Sequence, residues 1–298
     1  MSILQVKNIS KKIGKKEILK DITFEINKGD ILAFIGPNGS GKTTTIKCIL
    51  GLQKINTGEV IINGYDIRKD YIKAIEKVGC IVESLDVYMY LSGLENLKIQ
   101  AAYYKNIKEE EITRVVKLVG LENKIYEKVC HYSLGMRQRL GIAIALINYP
   151  NLLILDEPTN GLDPKGIKDL RELLLKLAKQ GTGILISSHN LSDLESLCTR
   201  VCILSNGRVI ENVSISEIKQ VNKNKYIIKT NNSDLIKNML SEEDKILDKN
   251  YIEVIKEEEE LAQFIKELVL KKAKIYEVKK EVLSLEEAFI KKAGDNIE

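Results

Sequence analysis

The stretch "ILAFIGPNGSGKTTTIKCIL", Ile31 to Leu50, changes character twice. "ILAFI" (31–35) is apolar throughout and closed by a glycine, the pattern of a strand buried on both faces. "GPNGSGKT" (36–43) then fits the G-x-x-x-x-G-K-[ST] spacing of a P-loop, and from Lys42 the period turns helical. Glycines let backbone N–H groups turn inward around phosphate oxygens, and the start of the helix adds positive potential there. Gly36, Pro37, Asn38, Gly39, Ser40, Gly41, Lys42, Thr43 and Thr44 therefore form the candidate phosphate cradle. Lys42 is expected to reach the β- and γ-phosphates, and Thr43 to place its hydroxyl on Mg²⁺.

Such a loop needs a carboxylate from a neighbouring strand. "LLILDEP" supplies one: four apolar residues end in Asp156 and Glu157. Asp156 is the expected magnesium-side partner of Thr43. Successive strand side chains alternate, so Glu157 points differently and is free to act as a base toward water. His189 closes a further strand, "ILISSH", expected beside the first, and is assigned to the γ-phosphate. His131 has no such placement and is read as structural.

Around these pieces the chain falls into blocks. Residues 3–9 and "EILKDITFEI" (17–26) alternate as strands, and "GEVIINGYDI" (58–67) reads as a hairpin around Asn63-Gly64. From about 70 to 149 the period is mostly helical, with helices expected near 92–104, 108–119 and 134–147. After "LLILD", a helix over about 166–179, the strand "GILISS" (183–188), a helix over 190–198 and the hairpin "VCILSNGRVIE" complete a parallel-sheet core. Beyond about residue 213 the order is β-α-β-β-α-β, the ferredoxin-like arrangement, followed by a short helix "SLEEAFIKKAG". Glu257–Glu260 open the second helix of that part, where negative charge suits the macrodipole.

Composition narrows the classes. A chain of 298 residues accommodates one large α/β domain and a smaller one. The 46 Lys+Arg against 42 Asp+Glu are dispersed, which points away from nucleic acid. Five cysteines without a CxxC pair suggest no disulfide or metal framework and a reducing interior. The first residues have no apolar core of signal-peptide length, and the longest apolar runs fall short of a bilayer crossing.

The order of these motifs, with Ser133 and Gly135 of "YSLGMRQRL" in the helical insertion between them, resembles the nucleotide-binding subunits of ATP-binding-cassette (ABC) transporters over roughly residues 2–215. On that resemblance "GPNGSGKT" is Walker A, "YSLGMRQRL" the signature loop, "LLILDEP" Walker B, "NGLD" (160–163) with Asp163 the D-loop, and His189 the switch histidine. The implied fold is an α/β P-loop NTPase core of ABC ATPase type, a mixed sheet with an N-terminal antiparallel β-subdomain and a helical insertion. The expected boundaries are 1–214 for this domain, with about 84–149 inserted, and 215–298 for a small α+β ferredoxin-like domain.

Three departures from the family stand out. The signature usually reads L-S-G-G-Q, and Tyr132, Leu134 and Met136 differ. An aromatic usually stacks on adenine; Ile13 in "KKIGKKE" holds that place, which implies loose discrimination between ATP and GTP. Glu83 in "GCIVESLDVY" stands where most members carry glutamine, and is still expected to contact Mg²⁺ or its water. Glu83, "SGLENL" and the ending "SLEEAF" are similar to bacitracin-resistance and lantibiotic-immunity exporters. The resemblance implies two chains paired head to tail, each ATP lying between one chain's P-loop and the other's Ser133 and Gly135. It also implies a separate transmembrane permease and a cytoplasmic location, peripheral at the inner face of the cell membrane. A soluble single-cassette ATPase of an assembly process such as Fe–S cluster assembly stays open as the alternative. A P-loop kinase fails on the signature and D-loop.

Overall fold

The computed structural model describes residues 2–83, 85–188, 197–215, 225–231, 236–237, 239–241 and 244–280. The chain forms two compact units, Met1–Ile215 and Ser216–Asp295.

In the first unit, β1 (Ser2–Ile13), β2 (Lys16–Asn27), β4 (Thr57–Ile62) and β5 (Tyr65–Asp66) form an antiparallel sheet in the order β2-β1-β4-β5. The first two strands outrun their alternating stretches. Register shifts in the β1–β2 ladder explain this, because an extra residue at a bulge keeps pairing going where the polar–apolar alternation breaks. The β4–β5 turn has positive φ at Asn63 (52°) and Gly64 (86°), the conformation that favours Asn-Gly in tight hairpins.

A second sheet runs in the order β10-β9-β3-β8-β7-β6. Its strands are β3 (Ile31–Ile35), β6 (Val78–Ile81), β7 (Leu152–Asp156), β8 (Gly183–Ser188), β9 (Arg200–Ser205) and β10 (Arg208–Ser214). All pair in parallel except β10, the antiparallel edge. Strands β3, β7 and β8 are buried at every residue, as a continuous apolar run implies for a strand covered on both sides. Edge strand β6 is missed in the sequence, because "VGCI" is short and carries a glycine, a weak strand former. The two sheets and α1 (Lys42–Ile49) share one core, including Leu4, Ile22, Phe34, Ile46 and Ile154. A short helix, α2 (Tyr71–Ile75), precedes β6.

Between β6 and β7 lie α3 (Gly93–Ala102), α4 (Glu109–Leu118) and α5 (Leu134–Leu146). Their starts are locally encoded. Ser92 and Glu95 form a reciprocal capping box on α3, and the Ser133 hydroxyl accepts from the Met136 N–H (3.2 Å) at the start of α5. After β7, α6 (Pro164–Lys179) begins with Asp163 as cap and proline at its first position. The helix expected over 190–198 falls mostly outside the described residues.

The second unit has an antiparallel sheet in the order β12-β13-β11-β14, from β11 (Lys225–Thr230), β12 (Lys245–Ile246), β13 (Tyr251–Ile255) and β14 (Ile275–Lys280). Helix α7 (Glu258–Leu270) joins β13 to β14 and packs Leu261, Phe264 and Leu268 with Ile228, Ile252 and Val254. Three glutamates occupy its first turn. The expected helix between β11 and β12 is described only in part, and the closing "SLEEAFIKKAG" lies outside the described residues.

Candidate functional site

The P-loop leaves the carboxyl end of β3 and enters α1. Gly39 (φ 82°) and Gly41 (φ 106°) hold left-handed conformations, and a Cβ on Gly41 would come within 2.7 Å of Leu19 Cδ2. The loop is thereby pressed against β2. Lys42 is buried beneath it, its ammonium donating to the carbonyls of Gly36 (2.8 Å) and Pro37 (3.4 Å).

The parallel register of β7 and β8 sets Asp156 opposite Ser187. Ser187 Oγ donates to Asp156 Oδ1 and accepts from the Glu157 N–H (2.9 Å). Thr43 Oγ1 donates to the other oxygen, Asp156 Oδ2 (3.0 Å). Glu157 has a positive φ of 52°, and its carboxylate lies 3.9 Å from Lys42 Nζ. Burial pulls the Lys42 ammonium below its ordinary pKa, opposed by the Glu157 and Asp156 carboxylates.

A cleft of about 600 Å³ opens over this network. Its walls are Asn38, Gly39, Gly41, Lys42, Thr43 and Thr44 of the P-loop region, Glu157 and Asn160 after β7, and Lys16 and Ile18 on β2. Two features suit a magnesium triphosphate. The buried hydroxyl of Ser40 has no hydrogen-bond partner among the described residues, and Thr43 with Asp156 supplies the hard oxygen donors that Mg²⁺ takes. Among the described residues no group of three or more His, Cys, Asp or Glu side chains is placed to hold a metal ion. One or two protein oxygens completed by phosphate oxygens is the usual arrangement for Mg²⁺.

Other expected site residues lie elsewhere. Ser133 is exposed at the start of α5, with Gly135 the second residue of that helix, and neither lines the cleft. Asp163 accepts from the Gly166 N–H (2.9 Å) as the cap of α6. Ile13 is half-exposed at the end of β1 and is not among the lining residues; Lys16 and Ile18 are. Glu83 (φ 61°) follows β6, and its carboxylate pairs with Lys47 Nζ of α1 at 2.6 Å. His189 lies outside the described residues, and His131 is exposed in a short 3-10 turn, Val129–His131.

Sequence reasoning missed Ser187, Lys16, Ile18 and Lys47, and within the expected D-loop it singled out Asp163 where Asn160 lines the cleft. Ser187 carried a signal, a hydroxyl at the end of a strand expected beside the Asp156 strand. The others depend on which segments meet across the sheets.

The family model for the ABC transporter matches residues 19–160. An ABC transporter ATP-binding protein of Bacillus subtilis (strain 168), YhcH, is 41% identical over 298 residues, 100% of this chain and 98% of that protein. The bacitracin transport ATP-binding protein BcrA of Bacillus licheniformis is 41% identical over 76% of this chain and 74% of its own length. The lantibiotic transport ATP-binding protein SrtF of Streptococcus pyogenes is 42% identical over 70% of this chain and 89% of its own. Among solved structures, an ATP-binding subunit of an ABC transporter superposes with a TM-score of 0.68 at 34% identity, over 74% of this chain and 92% of that one. The ATP-binding cassette MJ0796, a dimer bound to ADP and Pi in a post-hydrolysis state, gives 0.65 at 27% identity, over 71% and 98%.

Proposed function

The chain belongs to the ABC transporter ATP-binding family, and from that premise we propose that it binds and hydrolyses ATP to power export through a separate transmembrane permease. The observation that carries this is the single network joining P-loop to strand tips: Thr43 on Asp156, Asp156 on Ser187, Ser187 on Glu157, and Glu157 near Lys42. It gathers the groups that phosphoryl transfer to water requires.

The P-loop N–H groups and Lys42 bind the phosphates, and Thr43 and Asp156 would hold Mg²⁺, which would supply positive charge to neutralise the phosphates. Glu157 takes a proton from the attacking water, the role its carboxylate in the wall of the cleft permits. Lys42, already charged and desolvated, stabilises the growing negative charge without reorganising. His189, by resemblance, adds a γ-phosphate contact. Ser133 and Gly135 do not line their own cleft and, by resemblance, are suited to close the site of a second copy; the similar MJ0796 cassette is a dimer in its solved structure. Asp163 belongs to the same dimer face.

The names of BcrA and SrtF support a peptide antibiotic as cargo. The permease and the membrane location follow from the family. No helix among the described residues is long and apolar enough to cross a membrane.

The test is Glu157→Gln. It should still bind ATP while losing on the order of 10²–10⁴ in turnover, and near-normal hydrolysis would remove Glu157 from the role. Co-purification with a polytopic membrane protein tests the transport assignment. Failure to associate with any such partner would leave an ATPase of some other process.

A further inference from the structure

The cleft over the P-loop has walls of different chemistry. Lys42, Thr43, Glu157 and Asn160 are the groups suited to a terminal phosphate and its attacking water. Lys16 and Ile18 come from β2, brought to the cleft because Gly41 lies against Leu19 and the Ile18 carbonyl. A nucleoside triphosphate with its γ-phosphate at Glu157 must lead its ribose and base away from that residue. Beyond the P-loop region and the segment after β7, the lining that remains for them is Lys16 and Ile18 of β2.

Among the described residues no aromatic ring lines the cleft. A base in it therefore rests on the partly buried aliphatic Ile18 and meets the exposed ammonium of Lys16. Lys16 forms no ion pair or side-chain hydrogen bond among the described residues, so its three N–H donors are available to a ligand. A donor-only group distinguishes purines at position 6. Guanine presents two acceptors on that edge, O6 and N7, whereas adenine presents N7 beside an amino group that is itself a donor.

We propose that Lys16, beside Ile18, reads the base of the nucleotide and favours purines with an oxygen at position 6. This rests on the nucleotide-binding function proposed above. It moves base recognition from the Ile13 position, where the family resemblance places it, to the next strand.

The experiment is equilibrium binding of ribose-tagged fluorescent ATP, GTP and ITP to the purified full-length protein. ITP carries the 6-oxygen but lacks the 2-amino group of guanine, so it isolates the edge Lys16 would meet. GTP and ITP should bind alike and at least as tightly as ATP. Lys16→Ala should weaken GTP and ITP by about three- to tenfold, the worth of one net hydrogen bond, and leave ATP nearly unchanged. Lys16→Arg, which keeps the donors, should retain the preference. An equal loss on all three nucleotides, or no loss on any, would overturn the assignment of Lys16 while leaving nucleotide binding intact. If the wild-type protein binds none of the three, the ATPase proposal falls with it.

Discussion

Glu157 departs from an ordinary strand end by its positive φ, a conformation that costs a non-glycine residue of order 1–3 kcal/mol. Ser187 holds it there through the Glu157 N–H, and the same hydroxyl donates to Asp156. Ser187→Ala should leave a partly buried N–H without its partner and cost about 1–3 kcal/mol in urea unfolding. It should also lower ATP turnover by at least about tenfold by letting the carboxylate drift. Unchanged turnover would show that Glu157 positions itself. Asp156 and Glu157 were legible because an apolar run ending in acids is a pattern in one segment. Ser187 showed only a hydroxyl at a strand end, since its partners sit on another strand. A second residue-level effect concerns Cys202, whose burial pushes its thiol up to about 12. The folded pKa lies above the unfolded value of about 8.5. The stability linked to this proton is therefore present below about pH 8.5 and lost as pH rises toward 12. Cys202→Ala should show a shallower loss of stability than the wild type between about pH 8.5 and 11, read from urea midpoints.

Between elements, two contacts explain departures that the sequence displays without accounting for them. Leu134 replaces a glycine of the usual signature, and its side chain sits over Gly161, where a Cβ would collide with it. Gly161 has φ 75°, so the small residue in one loop accommodates the large one in the other. Gly161→Ala should destabilise by about 1 kcal/mol or more through backbone strain and displacement of Leu134. Combining it with Leu134→Ala should cost less than the sum, and strict additivity in the double-mutant cycle would show that the two loops are independent. Glu83 is the second case. Its pairing with Lys47 ties the segment after β6 to the P-loop helix, on the same α1 that begins with Lys42 and Thr43. Because Glu83 is exposed, the bond contributes little to global stability. Lys47→Met should leave the unfolding free energy within about 0.5 kcal/mol of the wild type yet raise the Mg²⁺ concentration needed for half-maximal hydrolysis or lower turnover. A silent variant by both measures would assign the pair to the surface alone. The Gln-to-Glu change was visible in the sequence; the lysine that meets it was not, because α1 and the end of β6 are far apart along the chain.

For the molecule as a whole, fold class and motif order were readable because each strand of the parallel core is a continuous apolar run and each loop beside it carries its own chemistry. The pairing of β7 with β8 was expected and is found, but the rest of the strand order was not readable, because β3 lies between β8 and β9, segments well over a hundred residues away. Nor was the meeting of β2 with the P-loop. Each of the two units has its own core. Residues 1–215 expressed alone should therefore unfold cooperatively and bind ATP as the full chain does. Loss of either would make the second unit part of the nucleotide-binding fold. The central place of β3 also divides the cleft in time. Its amides are hydrogen-bonded to neighbours on both sides and fully buried, so they should exchange with deuterium only when the whole domain unfolds. The β1–β2 turn around Gly14 and Lys15 is exposed and should exchange quickly. One part of the binding site is thus built before any ligand arrives, while the part beside the β1–β2 turn is exposed. Nucleotide should slow exchange mostly at residues 13–18, and the cost of ordering them would fall on recognition of the base.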